Sequence, residues 1–264
     1  MTSLRVATVQ LPAGPRLHYV EQGDADGEPT VLLHGWPDSW FSFSRVLSSL
    51  PRRVHAFALD QRGFGDSERP DHGYEIADFA ADVVGFLDAL AIDRATIVGH
   101  SFGSFVTRQV ALTHPDRVAR MVLIGTGVSA LNPVTREVQA AVLDLRDPVP
   151  TAFAREFQAS TAYAALPEGF FERIVAESLK LPARLWREVF EGLLAYDDAG
   201  QLARLTTPTL LKWGERDALF PREDQDRLVT AIRGARLRTY RDTGHCPNWE
   251  CPEQVAAELQ SFRR

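Results

Sequence analysis

The residue types best suited to covalent chemistry here are a serine, a histidine and an aspartate that lie far apart in the chain. Gly99-His100-Ser101-Phe102-Gly103 has the form Gly-x-Ser-x-Gly, which describes a tight strand-to-helix turn with an exposed serine hydroxyl. Side chains two before and two after the serine would collide across such a turn, and here both positions are glycine. An apolar run (95–98) precedes the motif, and an amphipathic stretch (102–114) follows it until Pro115. A serine hydroxyl is a weak nucleophile near neutral pH, so it needs a base, and the base needs an orienting acid. An elbow of this kind is used in the chain order Ser, then Asp or Glu, then His.

That order selects the partners. After His114 the sequence holds a single histidine, His245, in the turn-rich segment Thr243-Gly244-His245-Cys246-Pro247. Of the carboxylates in between, Asp144, Asp147, Asp197 and Asp198 fall in a region that reads as helical and solvated. Asp217 instead directly follows an apolar run (209–213) and precedes Ala-Leu-Phe-Pro, a poor setting for a merely solvating charge. It ranks first as the acid, with Glu215 second. Attack on a carbonyl also needs two N–H donors for the oxyanion. The backbone N–H of Phe102 is one candidate, and that of Trp36, in the loop after residues 30–33, is the other. The Trp36 side chain is equally suited to walling a pocket.

The elements that must hold these residues follow a βαβ rhythm. Short apolar runs at 30–33, 54–59, 95–98, 121–124 and 209–213 read as buried strands, with a hairpin (4–11 and 16–21) before them and an outer strand (235–240) after them. Each unusual loop follows a strand, at the edge where open parallel sheets hold their ligands. Residues 74–90 and 102–114 read as helices of the sheet, and 223–232 as another. Between about 128 and 205 the strand signal disappears. Helical stretches at 134–145, 167–181 and 182–196 are punctuated by proline there, as in an insertion between two strands.

Composition excludes several classes of function. The chain has 264 residues, 45% hydrophobic and 24% charged, so it can bury a core and is not of the disordered type. A formal charge of −6 without a Lys/Arg block disfavours nucleic acid and anionic membranes as partners. The N-terminus lacks a signal-like apolar stretch and no run is long enough to span a bilayer, which points to a soluble, cytoplasmic protein. Cys246 and Cys251 have no companion ligands for zinc and read as free thiols, so neither a metal nor a cofactor is expected. A monomer and a homodimer are both compatible with the sequence.

Over essentially its whole length the chain resembles the α/β-hydrolase superfamily. The resemblance is carried by His34-Gly35-Trp36-Pro37, Asp60-x-Arg62-Gly63-x-Gly65-x-Ser67, the serine elbow, Asp217 and His245. It implies an α/β fold, a mostly parallel sheet with helices on both faces, with residues 1–127 and 206–264 as the core and 128–205 as a helical cap. It gives the 60–67 loop an architectural role, and His34 likewise. Trp36-Pro37-Asp38-Ser39 and the 60–67 loop are similar to those of the epoxide hydrolase and haloalkane dehalogenase branch, whose elbow carries an aspartate that attacks sp³ carbon. Serine at that position favours acyl chemistry instead, because a serine ether could not be hydrolysed by the same route. The expected activity is hydrolysis of a small or medium carboxylic ester or lactone through an acyl-enzyme. Phe153, Phe157, Tyr163 and Trp186 of the cap, with Trp36, are candidates to line the substrate pocket. Cleavage of a carbon–carbon bond or perhydrolysis by the same triad is the alternative within enzymes. A ligand-binding signalling protein on a hydrolase scaffold is the alternative outside them.

Overall fold

A computed structural model describes residues 4–262. Its centre is an eight-stranded sheet in the order β1-β2-β4-β3-β5-β6-β7-β8. The strands are β1 (Arg5–Gln10), β2 (Arg16–Gln22), β3 (Glu28–Leu33), β4 (Val54–Leu59), β5 (Ala95–His100), β6 (Val118–Ile124), β7 (Thr209–Gly214) and β8 (Arg236–Tyr240). β1 and β2 form an antiparallel hairpin, β2 runs antiparallel to β4, and every remaining neighbour pair is parallel. The expected hairpin and outer strand are both present at the sheet's margins.

Helices lie on both faces, which is why the central strands are continuously apolar rather than alternating. Val31, Leu33, Ile97 and Leu123 pack with α2 (Ile76–Ala89) and α3 (Phe102–Thr113). Their neighbours Leu32, Val98 and Val122 pack on the opposite face with α1 (Ser44–Ser49) and, after the short α9 (Pro247–Glu250), α10 (Pro252–Phe262). α8 (Arg222–Ala231) bridges β7 and β8. α2 starts two residues later than the periodicity predicts, because the Asp78 carboxylate takes the N–H of Glu75 at 3.0 Å and caps the helix there.

The region without strands is a helical insertion between β6 and β7. It comprises α4 (Pro133–Leu143), α5 (Thr151–Thr161), α6 (Glu168–Ser178) and α7 (Ala183–Ala195). α5 went unrecognised in the sequence because its buried positions are Ala154, Gln158 and Thr161, a helical spacing occupied mostly by polar groups. The insertion is tied to the sheet by Arg108 of α3. One guanidinium nitrogen donates to the Gly127 carbonyl at 2.7 Å, where the chain leaves the sheet, and another to Asp198 at 2.8 Å, where it returns. Both members of this ion pair are buried, at 0% and 1% side-chain exposure. Among the described residues no helix is long and apolar enough to cross a membrane.

Removing one member of a buried pair strands the other, at a cost of about 3–5 kcal/mol, whereas replacing both by apolar groups is often neutral. Arg108→Leu should therefore lower the urea unfolding midpoint strongly. The double variant Arg108→Leu/Asp198→Leu should recover most of the loss.

Candidate active site

β5 delivers Ser101 into a backbone conformation of φ 50° and ψ −119°, where α3 begins. Non-glycine residues held in such sparsely populated regions cost about 1–3 kcal/mol, so the surroundings must enforce the turn. A Cβ on Gly99 would lie 2.1 Å from the Gly103 carbonyl oxygen, and one on Gly103 would lie 2.3 Å from that of Leu33. Only glycine permits both approaches. The Ser101 N–H donates to the Ile124 carbonyl at 2.9 Å, and Ser104 Oγ donates to the Ser101 carbonyl at 2.5 Å.

Asp217 follows β7 and is oriented by backbone donors. Its Oδ1 accepts from the N–H groups of Leu219 at 2.8 Å and Phe220 at 3.1 Å. Oδ2 is thereby left to face His245 Nδ1 at 3.0 Å, and both side chains are buried. A carboxylate at Nδ1 makes that nitrogen the donor and leaves Nε2 as the basic atom. Nε2 is buried and has no hydrogen-bond partner among the described residues. His245 and Ser101 line the same cavity, so the elbow serine and the imidazole share one chamber without a direct hydrogen bond. Glu215, the second-ranked acid, is exposed, and the carboxylate at His245 Nδ1 is that of Asp217.

The helical insertion helps to hold the histidine. The His245 N–H donates to the Thr161 carbonyl of α5 at 2.9 Å, and Glu250 bridges Gly244 N–H (2.9 Å) to Ala164 N–H (2.7 Å). His100 Nε2 donates to the His245 carbonyl at 3.2 Å. Burial, then the neighbouring His245, pushes the His100 imidazolium well below its ordinary range, so the ring is neutral.

The loop after β3 lies against Ser101. A Cβ on Gly35 would come within 3.1 Å of Ser101 Cβ, which places the Trp36 backbone beside the elbow. Phe102 opens α3, so its N–H has no intrahelical acceptor. These are the two donors expected for an oxyanion. The Trp36 ring packs with Phe157 and Phe190 at centroid distances of 5.0 and 4.4 Å, and all three line the cavity. Three of the expected pocket residues are placed elsewhere. Trp186 is fully buried behind Trp36, and Phe153 packs on Trp186, so both serve the core. Tyr163 is 56% exposed beneath the Arg216 guanidinium. For Trp186 the helical pattern marks a helix but not whether that side meets the cavity.

Asp38 and Gln158 are not singled out by the sequence. Both line the cavity and are hydrogen-bonded to each other at 2.9 Å across the boundary between the sheet and the insertion. Burial pushes the Asp38 carboxyl up to about 7, against the opposing effect of its Gln158 and Ser42 donors. The signal was weak because Asp38 stands in a loop and Gln158 in a helix without an apolar period. The cavity is narrow, with a volume of about 30 Å³.

His18, Asp60 and Asp66 are the one group of metal-type ligands found together among the described residues. Asp60 already accepts from the N–H groups of Trp40 (2.7 Å) and Asp66 (2.9 Å), and Asp66 pairs with Lys180 at 2.9 Å. These groups fasten the 60–67 loop. Both cysteines are free.

Residues 28–252 match the family profile described as alpha/beta hydrolase fold. The chain belongs to that family, and it is an enzyme of the hydrolase class. A 2-hydroxymuconate semialdehyde hydrolase from Pseudomonas putida is 32% identical over 96% of this chain and 92% of its own. A soluble epoxide hydrolase from Corynebacterium is 30% identical over 76% of this chain and 78% of its own. The crystal structure of a hydrolase from Pseudomonas aeruginosa superposes with a TM-score of 0.86 at 28% identity, covering 98% of both chains.

His34, at the base of the loop, predicts a pH dependence of stability. Its Nδ1 faces the Gly35 carbonyl at 2.7 Å and its Nε2 accepts from Gln61 N–H at 3.2 Å, so a second proton would set N–H against N–H. Burial lowers its pKa from 6.5 to about 4. Below pH 6.5 the unfolded chain therefore binds a proton that the folded one refuses. Stability present above pH 6.5 is lost as pH falls toward 4, by about 3 kcal/mol for this group. The melting temperature should drop over that window, and less steeply in His34→Gln.

Proposed function

We propose that the protein hydrolyses small uncharged carboxylic esters or lactones through an acyl-enzyme on Ser101. The observation that carries this reading is the buried Asp217–His245 pair, with Nε2 unpartnered and His245 lining the same cavity as Ser101. In the first half-reaction Ser101 Oγ bonds to the carbonyl carbon and its proton passes to His245 Nε2. The oxyanion is held by the N–H groups of Trp36 and Phe102. The bond to the leaving alcohol then breaks, and His245 returns the proton to the departing oxygen. Water attacks the acyl-enzyme in the second half-reaction, again giving a proton to His245, and Ser101 leaves with that proton. Asp217 stays ionised throughout and steadies the imidazolium. The helical insertion at 128–205 acts as a cap, with Trp36, Phe157 and Phe190 as the apolar wall.

The likeness to the Pseudomonas putida semialdehyde hydrolase favours a second reading, hydrolysis of a carbon–carbon bond by the same triad. The ester reading is preferred because the cavity is small and lined largely by apolar side chains.

Ser101→Ala should reduce hydrolysis of 4-nitrophenyl acetate and butyrate by at least about 10³-fold, with wild-type turnover above about 1 s⁻¹. Equal rates in the two proteins would refute the assignment. The narrow cavity further predicts that acetyl and butyryl esters outpace octanoyl esters by at least about ten-fold in kcat/KM. An acyl-chain series checks this.

A further inference from the structure

The chamber around Ser101 contains a carboxyl group that the mechanism does not use. Asp38 is 2% exposed and lines the same cavity as Ser101 and His245. It is held rigidly. Oδ1 accepts from Gln158 Nε2 at 2.9 Å, and Oδ2 accepts from Ser42 Oγ at 3.1 Å. Ser42 Oγ itself accepts from Trp249 Nε1 at 2.8 Å and Asn248 Nδ2 at 3.2 Å, so its one proton is committed to Asp38. The carboxyl group cannot swing out of the chamber without breaking this chain.

The charge environment is one-sided. Among the described residues no arginine or lysine lines the cavity. The titratable groups that line the cavity with Asp38 are His100, whose Nδ1 lies 3.9 Å from Oδ2, His245 and Cys246. His100 is neutral, and burial holds the Cys246 thiol protonated. A substrate with a second carboxylate would thus meet an anion, with no arginine or lysine to offset it, in a low-dielectric space. The carboxylic acid released by deacylation would meet the same field.

We propose that Asp38 is a specificity-determining residue that restricts the site to substrates without a carboxylate and favours departure of the carboxylate product. The inference rests on the ester-hydrolase reading and narrows it to uncharged acyl groups. It also weighs against carboxylate-bearing carbon–carbon substrates and against perhydrolysis, which must admit a free acid. At pH 8 the Asp38 carboxyl, raised only to about 7, carries its charge.

The test compares 4-nitrophenyl valerate with 4-nitrophenyl hydrogen succinate, which are close in size and differ in charge, at pH 8. Wild type should prefer the valerate ester in kcat/KM by at least about ten-fold, and Asp38→Asn should shrink that preference by a similar factor. A preference unchanged by the substitution would overturn the proposal. Calorimetric binding of valeramide and of valerate anion to the wild type and to Ser101→Ala supplies an arm that needs neither the Asp38 variant nor turnover. The amide should bind at least about ten-fold more tightly. Equal affinities would overturn charge selection even if Asp38→Asn fails to fold. Absence of Ser101-dependent nitrophenol release would instead refute the esterase reading, while the binding arm would still decide whether the cavity rejects anions.

Discussion

The turn at Ser101 requires backbone to approach backbone more closely than any side chain allows. β-Carbons at positions 99 and 103 would make contacts of 2.1 and 2.3 Å, so glycine at both is the condition for the elbow to exist. The strain at Ser101 is offset by what surrounds it: a parallel sheet packed on both faces, the N-terminus of α3, and the bond from Ser101 N–H to Ile124. Every other group in the site is placed relative to this point. The loop after β3 presses Gly35 against the serine, and the β7 and β8 loops bring Asp217 and His245 to the same edge because those strands run parallel to β5.

A second level of organisation comes from polar groups buried where the insertion meets the sheet. Thr161 of α5 receives the His245 N–H, Gln158 of the same helix fixes Asp38, and Arg108 grips both ends of the insertion. Buried polar groups must be satisfied, so these links define one arrangement more sharply than apolar contacts would. The position of the imidazole is therefore coupled to the inserted helices, and so is the charge lining the chamber. This couples the chamber's charge to the same helices that shape its walls.

Much of this was legible in the sequence. The strands at residues 30–33, 54–59 and 95–98 are apolar on both faces, and a sheet covered by helices on each side leaves little other reading. Ser101 was legible from two glycines at fixed offsets, and His245 from the lack of any competitor after His114. α5 was not, because its inward positions carry Gln158 and Thr161 in place of an apolar stripe. Trp186 illustrates a related limit. Helical periodicity marks which residues share a face, but whether that face meets a core, a cavity or water depends on what packs against it.

The sequence by itself singled out the elbow serine, one histidine and one aspartate as candidates, since local backbone geometry and chain order constrain those residue types directly. Only the tertiary structure decided the chamber. Asp38 sits in a loop, Gln158 in a helix and Ser42 in a short turn, with nothing in their spacing to join them. Their meeting depends on how the insertion docks on the sheet edge, and that docking is set by burial summed over many residues rather than by any local pattern.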